Sequence, residues 1–191
     1  MRYPSTHKQE TRAKLLAASR AIAKRGGFEK TGVDALMSAI GLTGGAFYSH
    51  FPSKQALFEQ VICEELENSA RMLAGDEDAP PDHVAKCLRS YLSSFHAAHP
   101  ETGCALPTLG PEIARSGPEV RKTVEKAVKK AHKSWSERIE DPDAAWSLIA
   151  QCVGALVLAR AVESDKTRRE ILAACRRVTD RMHRLDADKP S

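Results

Sequence analysis

The chain has 191 residues, 42% of them hydrophobic, enough for a real buried core and too many for a disordered polymer. Only 5% are aromatic and β-branched runs are rare, which excludes a strand-rich protein more firmly than a helical one. The formal net charge of +4 is unevenly spread, with 9 Lys+Arg against 4 Asp+Glu in residues 1–60 and 20 against 21 thereafter. All the positive excess lies in the first third, as expected where one module meets a polyanion and the other does not.

The opening stretch Met1-Arg2-Tyr3-Pro4-Ser5 lacks the apolar core of a signal peptide, so a cytoplasmic protein is expected. Thr6-His7-Lys8-Gln9 has the form of a capping box, predicting a first helix from Thr6 with Leu15, Ala18 and Ile22 on one face. Gly26-Gly27 stops it. A short second helix is expected from Val33 to Ile40, ended by Gly41. A third follows Thr43 as N-cap, turns Phe47 and Phe51 inward and stops at Pro52. Ser53 caps a fourth, whose stripe is Leu57, Val61 and Leu66.

Gly75-Asp76-Glu77-Asp78-Ala79-Pro80-Pro81 is the clearest linker. Beyond it one helix is expected from Asp82 to His99, then an irregular stretch from Pro100 to Pro107 and a short helix from Thr108 to Arg115. Pro118 and Asp141-Pro142 mark the starts of two longer helices, to about Glu140 and Glu163. Ser164 opens the last, to about Leu185. The expected class is all-α with nine helices. An N-terminal three-helix domain with a helix-turn-helix covers 1–52, and a connecting helix spans 53–74. A second helical domain is expected over 82–185, with 186–191 a flexible tail.

Two short helices joined by Gly41-Leu42-Thr43 have the helix-turn-helix form, whose second helix enters the major groove. Its outward positions are Gly44, Gly45, Ala46, Tyr48, Ser49 and His50. Thr43, Tyr48 and His50 can hydrogen-bond to phosphates or base edges, and Lys54 stands in the first turn of the next helix, where backbone N–H groups suit a phosphate. Read on shape alone, the same segment is a helical hairpin with an exposed tyrosine and histidine.

The run from Gly32-Val33-Asp34-Ala35-Leu36 through Ile40-Gly41-Leu42-Thr43, Gly45-Ala46-Phe47-Tyr48-Ser49-His50-Phe51 and Ser53-Lys54-Gln55-Ala56-Leu57 resembles the TetR family of regulators over about residues 10–62. The resemblance implies that Thr43, Tyr48, His50 and Lys54 contact double-stranded operator DNA, largely its backbone. It departs from the family at Gly32, where Ser or Thr is usual, and at Gly44 and Gly45, which offer no side chains to read bases. Operator choice is therefore expected to depend partly on DNA shape.

The last helix carries Ile171, Cys175, Val178, Met182 and Leu185 at 4-3-4-3 spacing. The helix before it is apolar almost all round, with Trp146, Leu148, Ile149, Val153, Leu156, Val157 and Leu158, while Ser147, Gln151 and Arg160 argue against a membrane span. An internal core is one reading of this pair. The resemblance implies another, a four-helix bundle between two copies of the chain, with Ile149, Val153, Leu156, Ile171, Cys175, Val178 and Met182 at the homodimer interface. The helix from Pro118 bears Val120, Val124, Ala127, Ala131 and Trp135 on one side and Lys122, Lys126, Lys129 and Lys133 on the other; such a stripe suits a membrane surface or a second nucleic-acid contact, but interspersed Glu119, Glu125 and Glu137 favour a solvated face.

The resemblance also implies a small-molecule pocket after the linker, for which Tyr91, Phe95, His96, His99, Trp135 and Trp146 are candidate lining, with ordinary core packing the alternative. The five cysteines, Cys63, Cys87, Cys104, Cys152 and Cys175, are odd in number and show no CxxC or Cys/His pair at ligand spacing. Reduced thiols are expected, with no disulfide framework, metal or cofactor. Cys104, between segments and near His96 and His99 in sequence, is a candidate oxidant or electrophile sensor, the alternative being a buried inert thiol. No phosphate-binding glycine loop, HExxH or GxSxG motif is present, so an enzyme is not expected. The expected function is a repressor that binds a palindromic operator as a dimer and is released by an inducer or thiol modification; the alternative is a helical adaptor that binds a protein partner without reading DNA.

Overall fold

The computed structural model describes residues 5–75, 78–80 and 82–187, and among these there are nine α-helices, two short 3-10 segments and no strand. Helix α1 (Ser5–Gly26) begins one residue before the expected Thr6. It ends where Gly27, at φ +86°, donates its N–H to the Ala23 carbonyl. A side chain there would be strained, and its Cβ would lie 2.5 Å from the Glu112 carboxylate. Helix α2 (Val33–Ser38) is shorter than expected, the chain leaving it through a turn at Ala39-Ile40 and Gly41, φ +74°. The expected third helix is a 3-10 segment, Gly44–Ser49. Ser53 then caps α3 (Lys54–Ala74), its hydroxyl accepting the Ala56 N–H at 3.0 Å.

The linker ahead of α4 includes Asp76, Glu77 and Pro81, which lie outside the described residues. The helix expected from Asp82 to His99 is broken into α4 (His83–Tyr91) and α5 (Ser94–Ala98). Ser93 causes the break by capping α5, its hydroxyl accepting the His96 N–H, while the His96 ring takes up the Tyr91 carbonyl left over at the end of α4. A 3-10 turn, Pro100–Thr102, lies in the stretch expected to be irregular. Helices α6 (Leu106–Arg115), α7 (Pro118–Ile139), α8 (Pro142–Ala161) and α9 (Asp165–Ala187) follow. Asp141 caps α8 by accepting two N–H groups, and Glu140 takes the left-handed conformation, φ 54°, to reverse the chain before it. Helix α9 extends two residues into the expected tail, whose remaining residues, 188–191, lie outside the described ones.

Two cores result. In the first, Leu15, Leu36, Phe47, Phe51, Leu57, Val61 and Ile62 pack with Leu109, Ile113 and Val120, so α6 and α7 help to close the N-terminal unit. The second gathers Val84, Leu88, Leu92, Trp135, Leu148, Cys152, Leu156 and Leu172. Leu106 packs against both. Polar ties reinforce the junction. The Glu112 carboxylate of α6 accepts the N–H groups of Phe28 and Glu29 just beyond α1. Lys24 of α1 is buried, donating to Glu65 of α3 at 2.5 Å and to the Gly103 carbonyl at 2.9 Å.

Helix α8 is long and apolar enough to cross a membrane by composition, yet it packs against α7 and α9 and buries Ala145, Leu148, Cys152, Leu156 and Ala159. Its opposite side leaves Trp146, Val157 and Leu158 exposed, Leu158 by 58%.

The buried pair gives a test of what holds α1 in place. Removing one partner strands the other charge, so Lys24→Met is expected to destabilise the chain by about 3–5 kcal/mol, with much of the loss recovered when Glu65→Gln is added. Urea unfolding of the two variants checks this; equal losses in both would contradict it.

Candidate nucleic-acid interface and ligand cleft

Thr43, extended at φ −86° and ψ 152°, leads into the Gly44–Ser49 segment. Phe47 is wholly buried and Phe51 is 2% exposed, their ring centroids 6.1 Å apart, with the Arg12 guanidinium 4.2 Å above the Phe51 ring. These two anchors fix the segment and leave Tyr48 67% exposed, edge-on to Phe47. Thr43, Gly45 and Ser49 are exposed; Gly44 and His50 are half-buried. Of the predicted contact residues, Thr43, Gly45, Tyr48 and Ser49 are thus exposed on this segment, while Lys54, on the helix that follows, is half-buried.

The chemistry of this surface differs in detail from expectation. The Ser49 hydroxyl donates to the Ala46 carbonyl at 2.7 Å, so its proton is engaged within the segment and is not available to a phosphate. Lys54 donates to the Glu29 carbonyl at 2.8 Å and lies 5.1 Å from the Phe28 ring centroid, which fixes its ammonium and leaves further N–H donors available. A Cβ on Gly44 would sit 1.8 Å from Asp34 Oδ1, whereas one on Gly45 would meet open space.

The second site surrounds His96. Its Nε2 accepts the Cys104 N–H at 3.1 Å and therefore carries no proton. Its Nδ1, 2.8 Å from the Tyr91 carbonyl, must then be the donor. His96 is neutral in this arrangement. Burial holds its pKa below 6.5, and the neighbouring Arg160 and Lys24 charges act in the same direction. Arg160 secures the same corner by donating to the carbonyls of His96 and Ala97 and to the Thr108 hydroxyl.

Beside it, a cleft of about 160 Å³ is lined by residues that include Leu73, Ser90, Tyr91, Phe95, His96 and Gly103. Three of the six pocket candidates, Tyr91, Phe95 and His96, meet there. The others do not. Trp135 is 1% exposed and donates to the Leu73 carbonyl as a core residue. His99 lies outside the cleft, its ring against Phe95. Trp146 stacks on His132 at 4.0 Å between ring centroids. Cys104 is 2% exposed and faces a small apolar void with Leu73 and Ile149. Burial pushes the nearby Cys152 thiol up to about 12.

Of the interface candidates, Leu156 is wholly buried inside the chain and cannot meet a partner. Cys175 packs against the second core. Ile149, Val153, Ile171 and Val178 are half-buried, and the Met182 side chain lies outside the described residues. Sequence reasoning missed Lys24, Arg160 and Glu112. One signal was available: Glu65 falls four residues after Val61 and four before Ser69, within the buried stripe of α3.

Residues 15–61 match the family model described as bacterial regulatory proteins, tetR family. Over 89 residues the chain is 31% identical to YfiR, an HTH-type transcriptional regulator of Bacillus subtilis (strain 168), covering 47% of this chain and 42% of YfiR. The match thus spans less than half the length of that relative. Among solved structures, a TetR-family transcriptional regulator from Agrobacterium tumefaciens superposes with a TM-score of 0.76 at 18% identity, covering 91% of this chain and 98% of that one. The reduced form of Escherichia coli NemR gives 0.72 at 20% identity, covering 91% and 97%.

The neutral histidine makes a pH prediction. With its folded pKa below the ordinary 6.5, the native state binds fewer protons than the unfolded one between those values, so stability falls as pH drops below about 6.5. Thermal melts from pH 7.5 to 5.5 are expected to fall less steeply in a His96→Gln variant, which has no imidazole to charge. An unchanged pH dependence would remove His96 as the cause.

Proposed function

Because this chain belongs to the TetR family of bacterial regulatory proteins, we propose that it is a cytoplasmic DNA-binding transcriptional repressor, acting on a palindromic operator as a homodimer and released by a small molecule. The observation that carries the DNA reading is the strip of Thr43, Gly45, Tyr48 and Ser49, held outward by two buried phenylalanines in the part of the chain that holds the positive excess. The Thr43 and Tyr48 hydroxyls, backbone N–H groups and Lys54 suit phosphates, and two glycines leave few side chains for bases, so backbone contact and DNA shape dominate.

The exposed apolar side of α8 supports the dimer. Trp146, Val157 and Leu158, with half-buried Ile171 and Val178 of α9, are the surface a second copy would cover. Two-fold symmetry then sets the two recognition segments one DNA turn apart, roughly 34–36 Å. Release follows as a population shift toward a dimer whose segments no longer match that spacing. The burial of Cys104 favours a bound molecule over direct thiol modification as the trigger.

Selection of duplexes from a random-sequence library by the purified protein tests this reading. Enrichment of a palindromic site is expected; no enrichment at low salt would favour a helical adaptor. On the selected site, Lys54→Met is expected to weaken binding evenly across sequence variants and to lower the salt slope by about 1. Leu158→Glu is expected to raise the dimer dissociation constant on the order of a hundredfold by forcing a carboxylate into an apolar contact, as read by sedimentation. An unchanged constant would place the dimer contact elsewhere.

A further inference from the structure

A second recess, of about 340 Å³, opens where the turn after α1, the start of α3 and the end of α6 meet. The buried rings of Phe28 and Phe58 line it, tilted against each other with centroids 5.0 Å apart. Around them stand Glu29, Lys54, Gln55, Glu112, Arg115 and Ser116. Lys54 therefore belongs both to this recess and to the DNA-facing surface described above. Among the described residues, Arg115 is the other cation that lines it.

The two carboxylates are not equivalent. Glu112 accepts the N–H groups of Phe28 and Glu29, so its charge is committed to backbone. Glu29 instead holds both cations: its carbonyl oxygen accepts from Lys54 Nζ at 2.8 Å, and its carboxylate accepts from Arg115 Nη2 at 3.0 Å. Backbone and side chain of one residue thus set Lys54 and Arg115 a single residue's length apart. The ion pair lies open to water, with the Arg115 and Glu29 side chains 63% and 71% exposed. Solvent and salt screen such a pair, and it adds little to stability. It also occupies one of the five N–H donors of Arg115. A phosphate can take two parallel N–H bonds from a guanidinium, against the single one that Glu29 receives.

The place of Arg115 is fixed by the body of the molecule. It stands in the last turn of α6, where the Ser116 hydroxyl donates to the Glu112 carbonyl, and the Glu112 side chain ties that helix to the turn after α1. A cation from α6 is in this way delivered beside one that begins α3.

We infer that Arg115 is itself a DNA contact, its guanidinium exchanging the Glu29 carboxylate for a backbone phosphate of the strand that Lys54 holds. This rests on the DNA-binding reading above. The contact comes from outside the helix-turn-helix, and it adds affinity without choosing bases.

The duplex selected from the random library is the probe, read by anisotropy over a range of salt with the full chain. Arg115→Met is expected to weaken binding roughly tenfold and to lower the salt slope by about 1 per bound protomer. Glu29→Gln is expected to tighten binding, since it releases Arg115 and removes a carboxylate from beside the phosphate. A purely structural ion pair predicts the same sign for both variants. Lys129→Met, which breaks a similarly exposed ion pair on α7, is expected to leave affinity and slope unchanged. Replacing the duplex phosphates one at a time by uncharged methylphosphonates then locates the contact. One position in each half-site is expected to cost the wild-type protein affinity and to cost Arg115→Met nothing. The role of Arg115 is overturned by wild-type affinity and slope in Arg115→Met, by equal weakening in Glu29→Gln, or by a methylphosphonate profile that Arg115→Met leaves unchanged. If the wild-type protein binds no duplex, the DNA reading fails and this contact fails with it; duplex binding indifferent to Arg115 removes the contact alone.

Discussion

The contact of Lys24 with Glu65 and the Gly103 carbonyl decides how the two halves of this molecule sit together. Both side chains are nearly withdrawn from water, at 6% and 9% exposure, so their charges are tolerable only while each satisfies the other. A buried pair adds little net stability over an apolar equivalent, but it permits few geometries. That restriction matters here because α1, α3 and the loop before α6 come from three distant parts of the chain. Arg20 beside Glu64 and Glu65, and Arg25 beside Glu101, repeat the same pairing closer to the surface. Apolar packing alone would leave the angle between the first helix and the C-terminal body adjustable.

The same constraint explains the division of labour between the cores. The first is completed by α6 and α7, so the DNA-facing unit is not closed without helices that belong to the body. The Glu112 carboxylate makes this explicit by holding the backbone just after α1 from the side of α6. Arg160 reaches from α8 to Thr108 of α6 and to the His96 carbonyl, so the corner around the cleft and the clamp on the first unit share one helix. Helix α6 thus packs against both α1 and α8.

What was legible in the sequence was local. Gly27 and Gly41 stop helices because their positive φ favours glycine, and Ser53 and Asp141 start them because their side chains accept N–H groups within three residues. Such signals need no knowledge of the fold. The strip from Thr43 to Ser49 was legible for the same reason, since Phe47 and Phe51 lie four apart on the inner side of one short segment. The break at Ser93 was not, because a serine pair inside a helical pattern is tolerated as readily as it caps, and the His96 ring that takes up the Tyr91 carbonyl is itself oriented by the Cys104 N–H of the following loop. Leu156 was misplaced because α8 is apolar on every side, so periodicity could not say which side faces inward. Lys24 and Glu65, 41 positions apart, carry no sequence mark of their pairing, although a carboxylate in the inward stripe of α3 hints that a cation must reach it.

The two glycines at the start of the recognition segment are unequal, and that has a consequence for how such a protein acquires a new target. At position 45 the backbone is exposed with empty space around it, so a long side chain added there meets no resistance from the fold. At position 44 the Asp34 carboxylate fills the place of a Cβ and must turn aside for any substitution. Divergent copies of this chain could therefore gain base discrimination one position at a time, beginning at 45, while the scaffold that presents the segment stays as it is. A glycine that reads nothing is, in that sense, an unassigned letter in the code for operator choice.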